Sequence, residues 1–292
     1  MKYFNSFLLI IFLASCSGTK RIVENDTRKT IEPIKTEKDN IFIQTQPITP
    51  DTVEIKNDKI VDEKSQEFGQ ILSKRFMPIH QLWDELLQKH VSDNGHVNYK
   101  TFKTEHKKLL DYIYVLSLMH KSDKFESFPK DEKLAFWINA YNAMTIDLIL
   151  RHYPLKSIKD IKNPWEQRYW KLGEKWYNLS EIEHQILRKM NEPRIHFAIV
   201  CASFSCPKLQ NEAFTSERLE SQLTDVTKEF LNDPKRNSIS ENSLELSKIF
   251  QWFSKDFKQN GSVIDFINQY SRIKISENAK IKYKDYNWAI NE

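Results

Sequence analysis

Residues 133–150, KLAFWINAYNAMTIDLIL, are apolar almost all round a helical wheel, while the segments before them alternate between apolar and polar positions. A stretch apolar on every face predicts a helix enclosed by its own domain, and at ~1.5 Å per residue it would run about 27 Å. Asn139, Asn142, Thr145 and Asp147 interrupt it, which argues against a membrane span. Helical spacing also predicts amphipathic helices over Gln70–Lys89 and Thr101–Met119. Between them Asp93-Asn94-Gly95 reads as a turn, followed by a short extended run from Val97 to Tyr99.

Beyond the apolar helix, Pro154 and Pro164 bracket a connecting stretch. Tyr169–Leu172 and Lys175–Asn178 flank Gly173-Glu174, a hairpin signal. Asn178 with Glu181 three residues on predicts a capping box that opens a helix over LSEIEHQILRKM. Ile195–Cys201 is apolar on both faces and reads as a central strand. Ser243–Leu246 reads as a strand, Ser247 as the cap of a helix through Phe257, Ser262 as the start of another helix, and Ile281–Ala289 as a final alternating strand. The fold class that follows is α+β, with helices packed around a small, mainly antiparallel sheet and a buried central helix.

The first residues have another character. Lys2, an apolar run from Phe7 to Leu13 and small residues before Cys16 make the pattern of a secretory signal over residues 1–15. Leu13-Ala14-Ser15-Cys16 resembles the bacterial lipobox, which implies cleavage before Cys16 and acylation of that residue. The apolar run is far shorter than the ~20 residues a membrane span requires, and buried acyl chains at ~0.8 kcal/mol per CH₂ make such an anchor stable. By resemblance to bacterial sorting rules, Ser17 in place of aspartate points to the outer membrane, on either face. Residues 17–68 are charged and nearly devoid of aromatics, a composition that cannot offset its ordering entropy. They read as a tether that, as a random coil, spans on the order of 40 Å. Residues 69–292 then form a single globular domain, which includes all seven Trp.

Charge removes some functions from consideration. Forty-four Lys and Arg against 40 Asp and Glu leave a net +4 spread without a basic block, so no nucleic-acid partner is expected. With 5 Gly there is no GxGxxG or Walker pattern, and HExxH and GxSxG are absent too. No cofactor is expected. The partners predicted are the membrane, through Cys16, and an envelope peptide, glycan or protein.

The densest chemistry lies in residues 194–209, RIHFAIVCASFSCPKL. Cys201 and Cys206 stand five apart and, in an oxidising compartment, an even pair is commonly a disulfide, provided residues 202–205 reverse the chain enough to bring the Cα atoms within about 7 Å. Alternatively, Pro207 at a first helical position makes Cys206 an N-cap with a lowered thiol pKa, a nucleophile with His196 as its base. A zinc site of Cys201, Cys206, His184 and His196 has suitable ligand types but no helical i, i+4 pair of histidines. Packed, inert thiols complete the alternatives. Ser203 and Ser205 supply hydroxyls in the same turn.

Other polar positions are candidates too. Asn139 and Asn142 lie three apart on one face, and buried amides require hydrogen bonds; they either tie down a loop or line a polar cleft beside His196. Glu183 could reach a neighbouring element as a catalytic group, and His184 shares a helix face with Arg188. Arg194 either pairs with an acid such as Glu183 or binds an anionic group.

At KLAFWINAYNAMTIDLILRHYP, NLSEIEHQILR, EPRIHFAIVCASFSCPKL, AFTSERLESQL and LELSKIFQWFSKDF the chain resembles the family catalogued as domain of unknown function number 547, over roughly residues 78–270. The resemblance implies that bacterial relatives are often secreted or lipid-anchored, and it carries no established activity. The positions it marks are Asn139, Asn142, Glu183, His184, Arg188, Arg194, His196, Cys201, Ser203, Ser205 and Cys206. A weaker similarity, to papain-like and transglutaminase-like hydrolases, lies in a central helix preceding the histidine; here that helix holds Asn139 and no cysteine. Two functions follow as expectations: an envelope hydrolase or transferase using Cys206, His196, Asn139 and Glu183, or a binding lipoprotein with a Cys201–Cys206 disulfide.

Overall fold

The computed structural model describes residues 78–292, all within one compact unit. The predicted signal sequence, Cys16, the predicted tether and the start of the predicted Gln70–Lys89 helix lie outside the described residues.

Among the described residues, α1 is Gln81–His90, α2 Tyr99–Thr104, α3 His106–Lys121, α4 Asp123–Ser127 and α5 Lys130–His152. The turn between α1 and α2 is closed by Gly95, whose φ of 75° suits glycine. One helix was predicted where α2 and α3 stand. The break falls at Glu105, whose carboxylate leaves the helical path to accept from His90 Nε2 at 2.8 Å and Lys89 Nζ at 2.7 Å, and from Lys108. Trp83 of α1 stacks on Tyr112 of α3 with ring centres 5.8 Å apart.

The buried helix is present as predicted. Every residue of α5 from Leu134 to Leu150 is buried, including Asp147, which accepts from His106 Nε2 at 2.5 Å, Arg151 Nε at 2.7 Å and Trp170 Nε1 at 2.7 Å. Three donors compensate a carboxylate that would otherwise be costly to bury. Through them α5 is tied to α3 and to the hairpin that follows.

That hairpin pairs β1 (Trp170–Leu172) with β2 (Lys175–Tyr177) through Gly173 at φ 58°. The Asn178 side chain then accepts from Glu181 N at 2.7 Å and opens α6, Leu179–Glu181. The box is half formed, because the Glu181 carboxylate turns to Arg168 and Lys175 instead. The helix continues as a π turn over Ile182–Ile186 and a 3-10 turn over Leu187–Met190.

Ile195–Cys201 is not the predicted central strand. Ile195–Ala198 forms a helical turn, α7, and only at Ile199 does the chain extend. The segment is enclosed on both sides, and a short run apolar on all faces carries no period that distinguishes helix from strand. Nor does a helix start at Pro207: the next one, α8, begins at Leu219 and ends at Asn232. Cys206 is therefore not an N-cap.

The C-terminal part holds β3 (Ser238–Ile239), β4 (Ser243–Leu246), α9 (Ile249–Trp252), α10 (Ser254–Phe257), α11 (Val263–Asn268) and β5 (Lys280–Tyr283). The helix predicted from Ser247 to Phe257 is split at Phe253, whereas Ser262 and Asp265 form the full capping box of α11. In the sheet β3 pairs antiparallel with β4, and β4 parallel with β5. The final strand stops at Tyr283, six residues short of the predicted Ala289. Residues beyond it cross over the 201–206 loop, where Phe204 N donates to Ala289 O at 2.7 Å and Asn291 N to Ala202 O at 3.2 Å. Helices thus surround two small sheets, with α5 enclosed, and the fold is α+β. No helix of the described residues is long and apolar enough to cross a membrane.

Candidate functional site

A cavity of about 280 Å³ opens beside Cys201. It is lined by Tyr141 of α5, by Glu183 and His184 of the π turn, by the 199–207 loop, and by Trp252, Phe253, Tyr286 and Trp288. A π turn widens the helix by one residue and is frequent at functional sites. Here it carries Glu183 and His184 to the cavity.

The loop is held by buried amides. Asn142 donates to Ala198 O at 2.9 Å and accepts from Val200 N at 3.0 Å, so one side chain pins the backbone on both sides of Ile199. Asn139 makes the equivalent clamp on Phe214, donating at 2.7 Å and accepting at 3.0 Å. Each amide is held to backbone through one N–H and its oxygen, and neither residue lines the cavity, which sets them apart from the catalytic part predicted for Asn139 and the ligand-binding part for Asn142. Between Cys201 and Ser203 the chain passes through Ala202 at φ 55°, a left-handed conformation unusual for a residue with a Cβ. Such strain concentrates near functional groups.

Cys201 is partly exposed and Cys206 buried; the two are separate thiols. The Cys201 N–H donates to Cys206 Sγ at 2.8 Å. The Cys201 sulfur lies 3.4 Å from Ser203 Oγ and 3.2 Å from the Tyr286 hydroxyl. Hydrogen bonding with Cys206, joined by the contacts with Ser203 and Tyr286, lowers the Cys201 thiol against the opposing effect of its burial. Burial pushes Cys206 and Tyr286 well up. Of the two thiols Cys201 is the more exposed and the one whose thiolate its neighbours favour, whereas the sequence drew attention to Cys206.

Glu183 is buried, and loss of water raises its carboxyl to about 7, opposed by a hydrogen bond from Tyr141 at 3.2 Å and assisted by the nearby Cys201 charge. A carboxyl poised near neutrality can both give and take a proton.

His196 is placed otherwise than predicted. Its ring stacks on Phe253 with centres 3.9 Å apart, and Nε2 lies 2.8 Å from Asp256 Oδ2. The carboxylate can only accept, so that nitrogen carries the proton and is unavailable as a base. Burial lowers the His196 pKa, and Asp256 opposes this. Asp256 also takes Arg188 at 2.6 and 2.8 Å. These partners, foremost Arg188, hold the Asp256 carboxyl far below the usual range in spite of burial. Arg188 in turn donates to His184 Nδ1 at 3.2 Å; since a guanidinium never accepts, neutral His184 keeps its proton on Nε2. Arg188, Asp256 and His196 are a brace beneath the cavity.

The remaining candidates are structural. Arg194 meets neither Glu183 nor the cavity; it is bidentate to Glu192 and also pairs with Glu220 at 2.7 Å. Ser205 exchanges hydrogen bonds with the Asn287 backbone. Among the described residues no three His, Cys, Asp or Glu side chains are grouped to hold a metal, so Cys201, Cys206, His184 and His196 do not form the zinc set considered above. Tyr141, Trp252, Tyr286 and Trp288 were not anticipated. The available signal was the run of aromatics in YKDYNW, dense for a terminal strand.

These features define an α+β domain with a paired-thiol cavity. Residues 125–231 match the family described as "Protein of unknown function, DUF547", a shorter span than the motif resemblance suggested but one that holds Tyr141, Glu183, Cys201 and Cys206. No curated protein and no solved structure matches the chain.

Proposed function

We propose that this domain is a thiol hydrolase or transferase of the cell envelope, tethered to the outer membrane through Cys16, with Cys201 as nucleophile. The observation that carries the reading is the sulfur of partly exposed Cys201, in reach of Cys206, Ser203 and Tyr286 in a residue that lines an open cavity. Donors around a sulfur favour its thiolate, the form that attacks.

In the reaction, the thiolate bonds to a substrate carbonyl carbon and the carbonyl electrons move to oxygen, where the Tyr286 hydroxyl can donate. Collapse expels the leaving group, which takes its proton from Glu183. The Glu183 carboxylate then accepts a proton from water, or from an acceptor hydroxyl or amine, whose oxygen or nitrogen displaces Cys201 from the acyl group. The chemistry needs no cofactor.

The test uses p-nitrophenyl acetate with intact-mass analysis of the full chain. Acylation at Cys201, lost in Cys201→Ser and kept in Cys206→Ala, is the expected result. Glu183→Gln should let the acyl-enzyme accumulate. Labelling that survives Cys201→Ser, or a Cys201–Cys206 disulfide in protein taken from the envelope that resists mild reductant, overturns the reading. The disulfide outcome would favour the binding lipoprotein, which the proximity of the two thiols permits.

A further inference from the structure

Given that Cys201 is the nucleophile, we propose that the cavity above it holds the hydrocarbon chain of a fatty acyl ester or thioester, so that the group transferred is a medium-length acyl chain.

Several polar groups of the cavity already have protein partners: Tyr141 donates to Glu183, Tyr286 meets Cys201, His184 Nδ1 accepts from Arg188, and His196 is bound to Asp256. Outside those bonds the polar lining is Glu166, Ser180, the His184 Nε2–H and the indole N–H groups of Trp165, Trp252 and Trp288. A glycan would need a partner for each of several hydroxyls, and an unpaired buried hydroxyl is costly. What the walls offer is carbon: Ile199, Val200, Ile249 and the face of Phe253.

The apolar surface continues to solvent. Trp252 is 46 % exposed, lies 5.8 Å from Trp288 with the ring planes inclined by 27°, and stands 4.8 Å from Tyr286. An exposed aromatic cluster beside an open cavity marks a contact surface for an apolar ligand. The cavity of about 280 Å³ is many times the space of roughly 10–15 Å³ that a single water molecule needs, which leaves room for an alkyl chain of several carbons.

The balanced step is Cys201–S⁻ plus R–CO–X, giving Cys201–S–CO–R and X⁻. The C–X bond breaks and Glu183 supplies the proton that yields HX.

The experiment measures Cys201 acylation by p-nitrophenyl acetate, butyrate, hexanoate and octanoate, each relative to its reaction with free cysteine. The rate should rise by about two- to fourfold per methylene, the value expected for burying a CH₂. In Trp252→Ala the octanoate-to-acetate ratio should fall at least fivefold. A flat chain-length profile with acetate still labelling Cys201 overturns the acyl-chain assignment and leaves the thiol reading standing. Failure of every ester, acetate included, overturns both.

Discussion

The backbone N–H of Cys201 donates to the Cys206 sulfur at 2.8 Å, and the Cys206 thiol faces the Cys201 sulfur in return. The buried thiol thereby keeps its own proton and offers it to the sulfur of its more exposed neighbour. The arrangement separates the two thiols by role as well as by exposure.

If that hydrogen bond lowers the Cys201 thiol, its removal raises it. The rate of iodoacetamide alkylation of wild-type protein should inflect below the ~8.5 of free cysteine, because its neighbours lower the Cys201 thiol. In Cys206→Ala the inflection should move toward the ~8.5 of free cysteine. Cys206→Ser, which keeps a donor, should fall between. An inflection unmoved by Cys206→Ala would transfer the effect to Ser203 and Tyr286.

Glu183 makes folding stability depend on pH in the direction opposite to an ordinary ion pair. Burial raises its carboxyl from 4.5 to about 7, so between these values the folded state keeps a proton that the unfolded state has lost. Stability contributed by the neutral carboxyl is complete below pH 4.5 and declines as pH rises through 7. By linkage the decline approaches about 3 kcal/mol, at ~1.4 kcal/mol per pKa unit. Glu183→Gln removes the titration and keeps an acceptor for Tyr141. Relative to wild type it should therefore gain stability between pH 4.5 and pH 8, as read by urea midpoints; a difference that stays constant with pH rules out a buried neutral Glu183.

Elements with local signals were legible in the chain. The all-apolar run around Asn139 and Asn142 became α5, Gly173 closed its hairpin, and Asn178 and Ser262 capped helices as their spacing indicated. Ile195–Cys201 was not legible, because burial on every side erases the periodicity that separates helix from strand. The loop around Cys206 was not legible for a related reason. Pro207 suggested a helix, but Arg236, 30 residues away, claims the Cys206 carbonyl at 2.9 Å and holds the segment as a loop. The aromatic wall arrives from 85 residues downstream, with Tyr286 meeting Cys201, and no local pattern encodes such a meeting.

The two asparagines of α5 should behave as clamps and not as catalysts. Asn142→Ala leaves the Val200 N–H and the Ala198 carbonyl buried without their partner, a loss of about 2–4 kcal/mol. Asn139→Ala does the same to Phe214. The variants should differ in chemistry, however. Asn142 borders the 199–206 loop, so its loss should slow Cys201 alkylation, whereas Asn139→Ala below its melting temperature should alkylate at the wild-type rate. Paired thermal melts and alkylation rates separate the cases; a slowed rate in folded Asn139→Ala would restore it to the site.

Asp256 carries the brace beneath the cavity, and its removal should be felt in two places at once. Its carboxylate binds Arg188 at 2.6 Å and His196 at 2.8 Å, and the His196 ring is enclosed against Phe253 and Phe257. Asp256→Ala leaves a buried imidazole N–H without an acceptor and a half-buried guanidinium without its anion, a change worth about 3 kcal/mol. The pH sign is the usual carboxylate one. Because the folded pKa is depressed, the stabilisation is present above the unfolded value of 3.8 and lost as pH falls below it toward the folded pKa. Wild-type and Asp256→Ala urea midpoints should therefore be well separated at pH 7 and converge on acidification below 3.8. His196→Phe, which preserves the stacking on Phe253, should lower stability less than Asp256→Ala and leave Cys201 alkylation nearly unchanged. If His196→Phe instead abolishes alkylation in folded protein, the imidazole acts on the thiol and the brace is part of the catalytic machinery.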